Sequence, residues 1–523
     1  MNWHDDICLK VEYNGNTYYF TESAVKKGRS MDRLYKKLEA YGKSDFYPFH
    51  MPGHKRNPLS VAGDFSVQQD ITEINGFDNL HHPETILKEA QENAARLYQV
   101  QESFFCINGS TGAILAAVSA AVKKGGHILI ARNCHKAVYH AAYLRDLKVS
   151  YIYPHEDAEL GINGGISPQR VERCLDENPD IEAVLLTSPT YDGIVSDIKT
   201  IAEITHSHNI PLIVDEAHGA HFCFSDYFPV SAAELGADIV IHSLHKTLPS
   251  MTQTALLHRC SERVDRNLLV RFLGIYQTSS PSYVLMASMD ACMYKIEQDG
   301  QRMFAEYTEN LERARKRLRK GSCIRLVEPG DPAMNVFDAD RSKIILSTVH
   351  STMNGRQLAE VLRQDFHLEI EMEAENYVIA LTSVGDTEEG FDRLCRAVEE
   401  IDSRDSLKYS EEAVKKERCR CAELNSLMRI SCAMDALSER CTLEESIGRI
   451  SVEFAYLYPP GIPLVVPGEQ ITGLLIKNMK RYLEQGLELQ GLSDMSDSTI
   501  LVLARDTREI VPKKFEGKVK IQE

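Results

Sequence analysis

The sequence predicts an α/β protein: a mostly parallel sheet covered by helices, followed by a smaller α+β region. Three observations carry this expectation. Short apolar runs alternate with helical stretches from about residue 85 to residue 258, the pattern of a parallel sheet buried on both faces. The texture changes after residue 335, where a few strands and helices follow in a different rhythm. The chain has 523 residues, 43% hydrophobic and 26% charged, which is too long for one ordinary core and predicts two to four domains.

Near the start, Ile7, Leu9, Val11 and Tyr13 alternate up to Asn14-Gly15, and Tyr18-Tyr19-Phe20 follow, a hairpin signal. A short basic helix is expected around 30–41, then an irregular stretch over 47–55. A helix near 84–98 leads to the strand Phe104-Phe105-Cys106-Ile107 and to Asn108-Gly109-Ser110-Thr111-Gly112. The next helix carries Ile114, Leu115, Val118 and Val122 on one face and ends at Gly125-Gly126. Strands are expected at 127–131, 183–187, 210–215, 238–243 and 255–258. The later part predicts a strand at 343–347, a helix at 357–365 and a strand at 377–382. A charged helical stretch near 403–423 and a rigid, turn-rich segment at 458–463 complete the chain. The expected division is an N-terminal hairpin and linker over 1–75, a large α/β domain over 76–330, and C-terminal α+β structure over 331–523.

Composition removes several function classes. No apolar run reaches the ~18 residues a membrane span needs. The first ten residues, MNWHDDICLK, hold two acids where a signal peptide carries a basic start and an apolar stretch. Net charge is −17 without a basic block, which speaks against nucleic acid as a partner. Thirteen scattered Cys without a CxxC pair read as free thiols in a reducing cytoplasm.

Val214-Asp215-Glu216-Ala217-His218 spells the DEAH string of certain helicases. Such an enzyme also needs a GxxxxGK[ST] phosphate loop, and at the only Gly-Lys-Ser, Gly42-Lys43-Ser44, the required earlier glycine is Lys37. Eighteen His include close pairs (His206/His208, His218/His221, His242/His245) but no HExxH string, so no metal is expected. Gly109-Ser110-Thr111-Gly112 between strand and helix offers N–H groups and hydroxyls to a phosphate, although Ser and Thr also serve as plain N-caps. Ser243-Leu244-His245-Lys246-Thr247 is more telling. A Lys directly after a buried strand suits a Schiff base with a carbonyl cofactor. Asp215, 31 residues earlier at the end of a neighbouring strand, suits the pyridine nitrogen of pyridoxal phosphate. Both positions are strand C-terminal ends, where open α/β sheets place their ligands.

With these segments the sequence resembles the fold-type I pyridoxal-phosphate enzymes, and within them the ornithine/lysine/arginine decarboxylase family. The segments are FHMPGHKR (49–56), DNLHHP (78–83), NGSTGAI (108–114), RNCHKAVYHA (132–141), SPTYDGIVSDI (188–198), VDEAHGAH (214–221), HSLHKTLPSMTQTALLH (242–258) and YPPGIPLVVPGE (458–469). They cover about residues 30–475 in family order. The receiver-like N-terminal wing of the large inducible members has no counterpart, so their decameric assembly is not implied.

The resemblance implies a seven-stranded, mostly parallel sheet and pyridoxal 5'-phosphate as cofactor. It makes Lys246 the Schiff-base lysine and Asp215 the partner of the ring nitrogen, which keeps the ring able to accept an electron pair. His135 matches the histidine stacked on the ring. Ser110 and Thr111 fit the phosphate cradle, with Ser243 and His245 on its other side, and His218 lies beside the cofactor. Thr278 belongs to a segment that reaches a neighbouring subunit's cofactor, which implies a homodimer or larger homo-oligomer with sites at the interface. The reaction implied is loss of CO2 from a small cationic amino acid (lysine, arginine or ornithine), with reprotonation by Lys246 or His245. Glu371 stands where the family carries an acid for the distal cation, although Glu369, Glu373 and Glu375 crowd the same stretch. Two rivals share part of this pattern. An aminotransferase would need an Arg for the α-carboxylate in the small domain, and none stands out. A non-catalytic regulatory relative conflicts with the intact Lys, Asp and His set.

Overall fold

The structure, a computed structural model, describes residues 8–13, 16–21, 33–44, 67–155, 160–328, 337–404, 423–457, 461–484, 489–494 and 498–505. The segment 49–56, nearly all of the charged stretch near 403–423 and residues 458–460 lie outside these.

Seven strands form the central sheet: β1 (Glu102–Cys106), β2 (His127–Ala131), β3 (Lys148–Ile152), β4 (Ile181–Thr187), β5 (Leu212–Asp215), β6 (Ile239–Ser243) and β7 (Ala255–Arg259). Their order is β1-β7-β6-β5-β4-β2-β3. The pairs β2–β3, β2–β4, β4–β5 and β5–β6 are parallel, whereas β7 runs antiparallel to both β1 and β6. Five of the strands read as continuous apolar runs because both faces are covered; in β2, Ile128, Leu129, Ile130 and Ala131 are all buried. The sequence named six runs. The seventh, β3, is an edge strand that starts at an exposed Lys148 and buries only Ile152, so it lacks the apolar signature.

Helices cover the sheet at Ile86–Leu97, Gly109–Ala121, Lys136–Leu144, Pro168–Glu177, Ile198–Ser207 and Arg266–Tyr276. The Gly109–Ala121 helix buries Ala113, Ala116, Ala117 and Ala120, small residues that let it lie close to the sheet. A 36-residue helix, Tyr283–Leu318, carries its buried face from the first core to the next. Tyr283, Met286 and Phe304 share one apolar cluster with Leu346 and Val378 of the second sheet. That sheet is antiparallel, in the order Arg325–Leu326, Lys343–Ser347, Tyr377–Leu381 and Met372–Glu373. The helices Gly355–Phe366 and Glu388–Asp402 belong to the same region. A separate apolar cluster follows from Leu424 to Val502. Its Glu469 makes a bidentate pair with Arg132, just beyond β2, at 3.1 and 2.9 Å, both side chains buried. At the other end, Cys8–Tyr13 and Asn16–Thr21 pair antiparallel in the register Tyr13↔Asn16, as the Asn14-Gly15 signal requires. The basic helix spans Leu34–Gly42. Among the described residues no helix is long and apolar enough to cross a membrane.

Candidate active site

Parallel pairing of β5 with β6 aligns Asp215 with Ile241, so both strands end at the same edge of the sheet. The chain leaves β6 at Ser243 and turns at once into the one-turn helix Leu244–Thr247, which lifts Lys246 off the strand end. Lys246 Nζ lies 2.9 Å from His218 Nε2. On the other side of the same ring, His218 Nδ1 lies 2.8 Å from the amine of Lys343, the first residue of its strand. His218 and Lys343 are buried and Lys246 is half-buried. Burial pushes the Lys246 amine below the ordinary lysine range, against the opposing pull of Asp215 and Glu371. Lys343 is pushed down to about 8, again chiefly by burial, with Asp340 opposing. Burial and the two lysines drive His218 well below its ordinary value, so it is a neutral imidazole.

Asp215 is buried, and among the described residues its carboxylate accepts one hydrogen bond, from Ala217 N–H at 3.3 Å. Burial raises its pKa while Lys246 opposes the rise. A buried carboxylate with so few donors can take a further N–H, and a protonated pyridine nitrogen is a donor of the right kind. At the start of the 13-residue helix Gly109–Ala121, Ser110 Oγ and Ser243 Oγ are 2.6 Å apart, which joins the cradle to the lysine strand. Gly109 holds φ +67°, a conformation that favours glycine at this turn. Thr111 is exposed on the same turn. These groups fit a phosphate on one side and a pyridine ring on the other.

His135 caps the Lys136–Leu144 helix, its Nδ1 accepting from Ala137 N–H at 3.2 Å, so its proton sits on Nε2. Burial, with Lys246 nearby, lowers it to about 4. His245 Nδ1 lies 2.9 Å from the Thr254 carbonyl, which only accepts; that N–H therefore donates, and Nε2 keeps its lone pair. Thr278 stands apart. It is exposed, its carbonyl is 2.8 Å from His81 Nε2, and no hydrogen bond among the described residues joins it to Lys246, His218 or Asp215.

Of the four crowded acids, Glu369 pairs with Arg363 at 3.0 Å and Glu375 with Arg481. Glu371 instead accepts from the Tyr191 hydroxyl and acts electrostatically on both Lys246 and Lys343. The Tyr191 ring meets His218 edge-on with centroids 4.9 Å apart. Below it, Tyr377 O–H donates to buried Asp192 at 2.7 Å, and burial raises Asp192 to about 6. Sequence reasoning missed Lys343, Tyr191 and Asp192. The latter two stood inside the quoted SPTYDG segment without a role, whereas a Lys opening a strand reads as an edge charge until the fold buries it.

A family profile described as "Orn/Lys/Arg decarboxylase, major domain" matches residues 33–338, and one described as "Orn/Lys/Arg decarboxylase, C-terminal domain" matches 423–491. The arginine decarboxylase of Bacillus subtilis (strain 168) is 33% identical over 482 residues, 90% of this chain and 97% of that protein. The arginine decarboxylase of Bacillus anthracis is 32% identical over 483 residues, with the same 90% and 97% shares. In fold, the crystal structure of a Francisella novicida lysine decarboxylase superposes with a TM-score of 0.78 at 19% identity, covering 90% of this chain and 81% of that one.

Proposed function

Because the chain belongs to the ornithine/lysine/arginine decarboxylase family and is a decarboxylase of a basic amino acid, we propose that it acts on arginine with pyridoxal 5'-phosphate bound at Lys246. The observation that carries the cofactor reading is the meeting of Lys246, His218 and a donor-poor Asp215 at the ends of β5 and β6. The family match supports pyridoxal phosphate, and the arginine reading is supported by the two Bacillus relatives.

Bound there, the cofactor supplies an electron sink for the pair left on Cα when CO2 departs. The chain's own residues do the rest. Asp215 would hold a proton on the cofactor's ring nitrogen, and Ser110, Thr111 and Ser243 would bind its phosphate. His135, a neutral imidazole, would stack on its ring. His245 Nε2, its partner Nδ1–H tied to Thr254, and the Lys246 amine are the groups placed to move a proton at Cα. Glu371, oriented by the Tyr191 hydroxyl, meets the distal cation of the substrate. Exposed Thr278 faces the site of a second copy, in a homodimer working in the cytoplasm. The test is product analysis on arginine, lysine and ornithine with added pyridoxal phosphate. Agmatine and CO2 as the fastest products are expected. Faster release from lysine or ornithine overturns the arginine reading, and a keto acid product overturns decarboxylation itself.

A further inference from the structure

Lys246 stands on the first sheet and Glu371 on the second, so the space between them depends on how the two sheets meet. Within its own sheet Glu371 is fixed. Its N–H donates to the Ile379 carbonyl at 2.9 Å, and Met372–Glu373 pairs with 378–379. Tyr377–Leu381 in turn pairs along its whole length with Lys343–Ser347, in the register Lys343↔Leu381. Where the Lys343 strand begins therefore decides where Glu371 stands.

That beginning is tied to the loops that leave β4 and β5. Ile194–Val195 pairs antiparallel with Asp338–Ala339, and Asp340 N–H donates to the Gly193 carbonyl at 2.8 Å. Gly193 holds φ +93°, and a Cβ there would lie 2.8 Å from Lys343 Cγ, so the two segments touch. His218 and His221, three positions apart, both reach across: His218 Nδ1 lies 2.8 Å from Lys343 Nζ, and His221 Nε2 lies 3.2 Å from Asp340 Oδ1. His221 and Asp340 are buried. The other donors to the Asp340 carboxylate are local, the Ser342 N–H at 2.9 Å and hydroxyl at 2.6 Å. A carboxylate only accepts, so His221 carries its proton on Nε2. Its Nδ1 has no hydrogen-bond partner among the described residues, and its ring packs against Phe222 and Phe228 with centroids 4.9 and 4.5 Å away. Asp340 is thus the one polar partner this imidazole has among the described residues. Tyr191 on Glu371 and Tyr377 on Asp192 cross the same seam nearer the substrate end. Unlike Tyr191, neither His221 nor Asp340 hydrogen-bonds to Lys246, Asp215 or Glu371 among the described residues.

We propose that His221 and Asp340 are positioning residues: their contact seats the second sheet on the first, sets the span from Lys246 to Glu371, and so selects the length of the basic side chain. Ornithine and lysine differ by one methylene, and arginine carries its cation farther out. A rigid site separates such neighbours by roughly 10–200-fold, and a small misplacement of one wall erodes that discrimination. The inference rests on reading Lys246 as the cofactor lysine and Glu371 as the distal acid.

The test is the set of kcat/KM ratios between arginine, lysine and ornithine, with pyridoxal 5'-phosphate added. His221→Phe keeps a ring in its aromatic slot and removes the N–H. The preference for the best substrate over the next should fall about 5-fold or more, and Asp340→Leu should do the same. His221→Gln, which keeps a donor of similar reach, should keep the wild-type ratios. Amide hydrogen exchange in His221→Phe should quicken over 343–347 and 377–381 while 212–215 and 239–243 stay protected. An even fall in kcat/KM for all three substrates, unchanged ratios, or exchange that rises equally in both sheets overturns the inference. Glu371→Gln separates the failures. If it raises KM while His221→Phe leaves the ratios alone, only the role of the contact is lost; if it too changes nothing, the distal acid is misread. Should neither His221→Phe nor Asp340→Leu fold, Asp340→Glu decides. A carboxylate one methylene longer keeps the acceptor but moves the sheet, so the preferred length should change, and wild-type ratios overturn the inference.

Discussion

Neighbouring residues of one short string, Asp215, Glu216 and His218, feed two buried polar networks of opposite character. Behind Glu216 runs a closed one. His242 Nε2 is 2.6 Å from Glu216 Oε2, His242 Nδ1 is 3.1 Å from His258 Nε2, and His258 Nδ1 is 2.7 Å from Ser103 Oγ. Ser231 and Ala232 also bond the carboxyl, at 2.6 and 2.8 Å, and the Tyr98 ring lies 4.9 and 4.6 Å from the two imidazoles. Burial pushes Glu216 up to about 8 and His242 down to about 3, so at neutral pH this run is uncharged. One orientation of protons then satisfies every link: Glu216 O–H to His242, His242 Nδ1–H to His258, His258 Nδ1–H to Ser103. At the strand ends the other network is charged and incomplete. His218 cannot serve two ammonium groups, and among the described residues Asp215 has a single donor. A saturated network holds the fold in one state; an unsaturated one leaves room for a ligand to complete it.

Four substitutions break or sharpen that contrast. The largest effect is expected from Lys246→Ala, which removes the proposed cofactor lysine from the open network. CO2 release should vanish with pyridoxal phosphate present, while the thermal melt stays within a few degrees of wild type. Measurable wild-type turnover in the variant would overturn the assignment. Next is Asp215→Asn. An amide cannot hold the ring nitrogen protonated, so kcat should drop by on the order of 10²-fold or more with KM within a few-fold. A kcat within a factor of two would place the ring elsewhere.

Glu371→Gln is expected to act on binding. Loss of a charge-assisted hydrogen bond, about 1.5–3 kcal/mol, should raise KM for the best substrate roughly 10-fold and leave the cofactor absorbance alone. Should Glu369→Gln or Glu373→Gln move KM instead, the distal acid is misassigned. The smallest catalytic effect belongs to the closed network. Glu216→Gln should leave kcat within a factor of about two, since an amide reproduces the donor to His242 and the acceptor for Ala232. Its signature is in stability. An acid whose pKa is raised by folding contributes stability below its unfolded value, ~4.3, and loses it as pH climbs toward the folded value, about 8. Wild-type Tm should therefore decline relative to Glu216→Gln across that window. A constant difference would mean that Glu216 is already ionised in the fold.

Much of this was legible in the residues. Continuous apolar runs marked the inner strands because burial on both faces forces that composition, and Ser-Leu-His-Lys at a strand end marked Lys246, which the fold brings to His218. The long helix Tyr283–Leu318 was not read, and neither was β3, whose edge position lets polar residues in. Lys343 escaped for another reason. Its contact with His218 spans 125 positions, between two sheets, and no local pattern announces such a meeting. The same holds for the Tyr191 hydroxyl on Glu371, 180 positions away.

Arg132 and Glu469 are 337 positions apart and lock together in a dry interior, where Arg132 also donates to the Pro463 carbonyl at 2.7 Å. The cluster over 424–502 is thus no detachable module, whatever its separate apolar centre suggests. An expressed fragment stopping before residue 423 leaves the Arg132 guanidinium, three positions from His135, with neither the Glu469 carboxylate nor the Pro463 carbonyl. Uncompensated charges of this kind cost about 3–5 kcal/mol, a large part of a typical domain's whole stability. Shortened versions of this chain should therefore lose the loop that carries His135 before they lose the sheet itself.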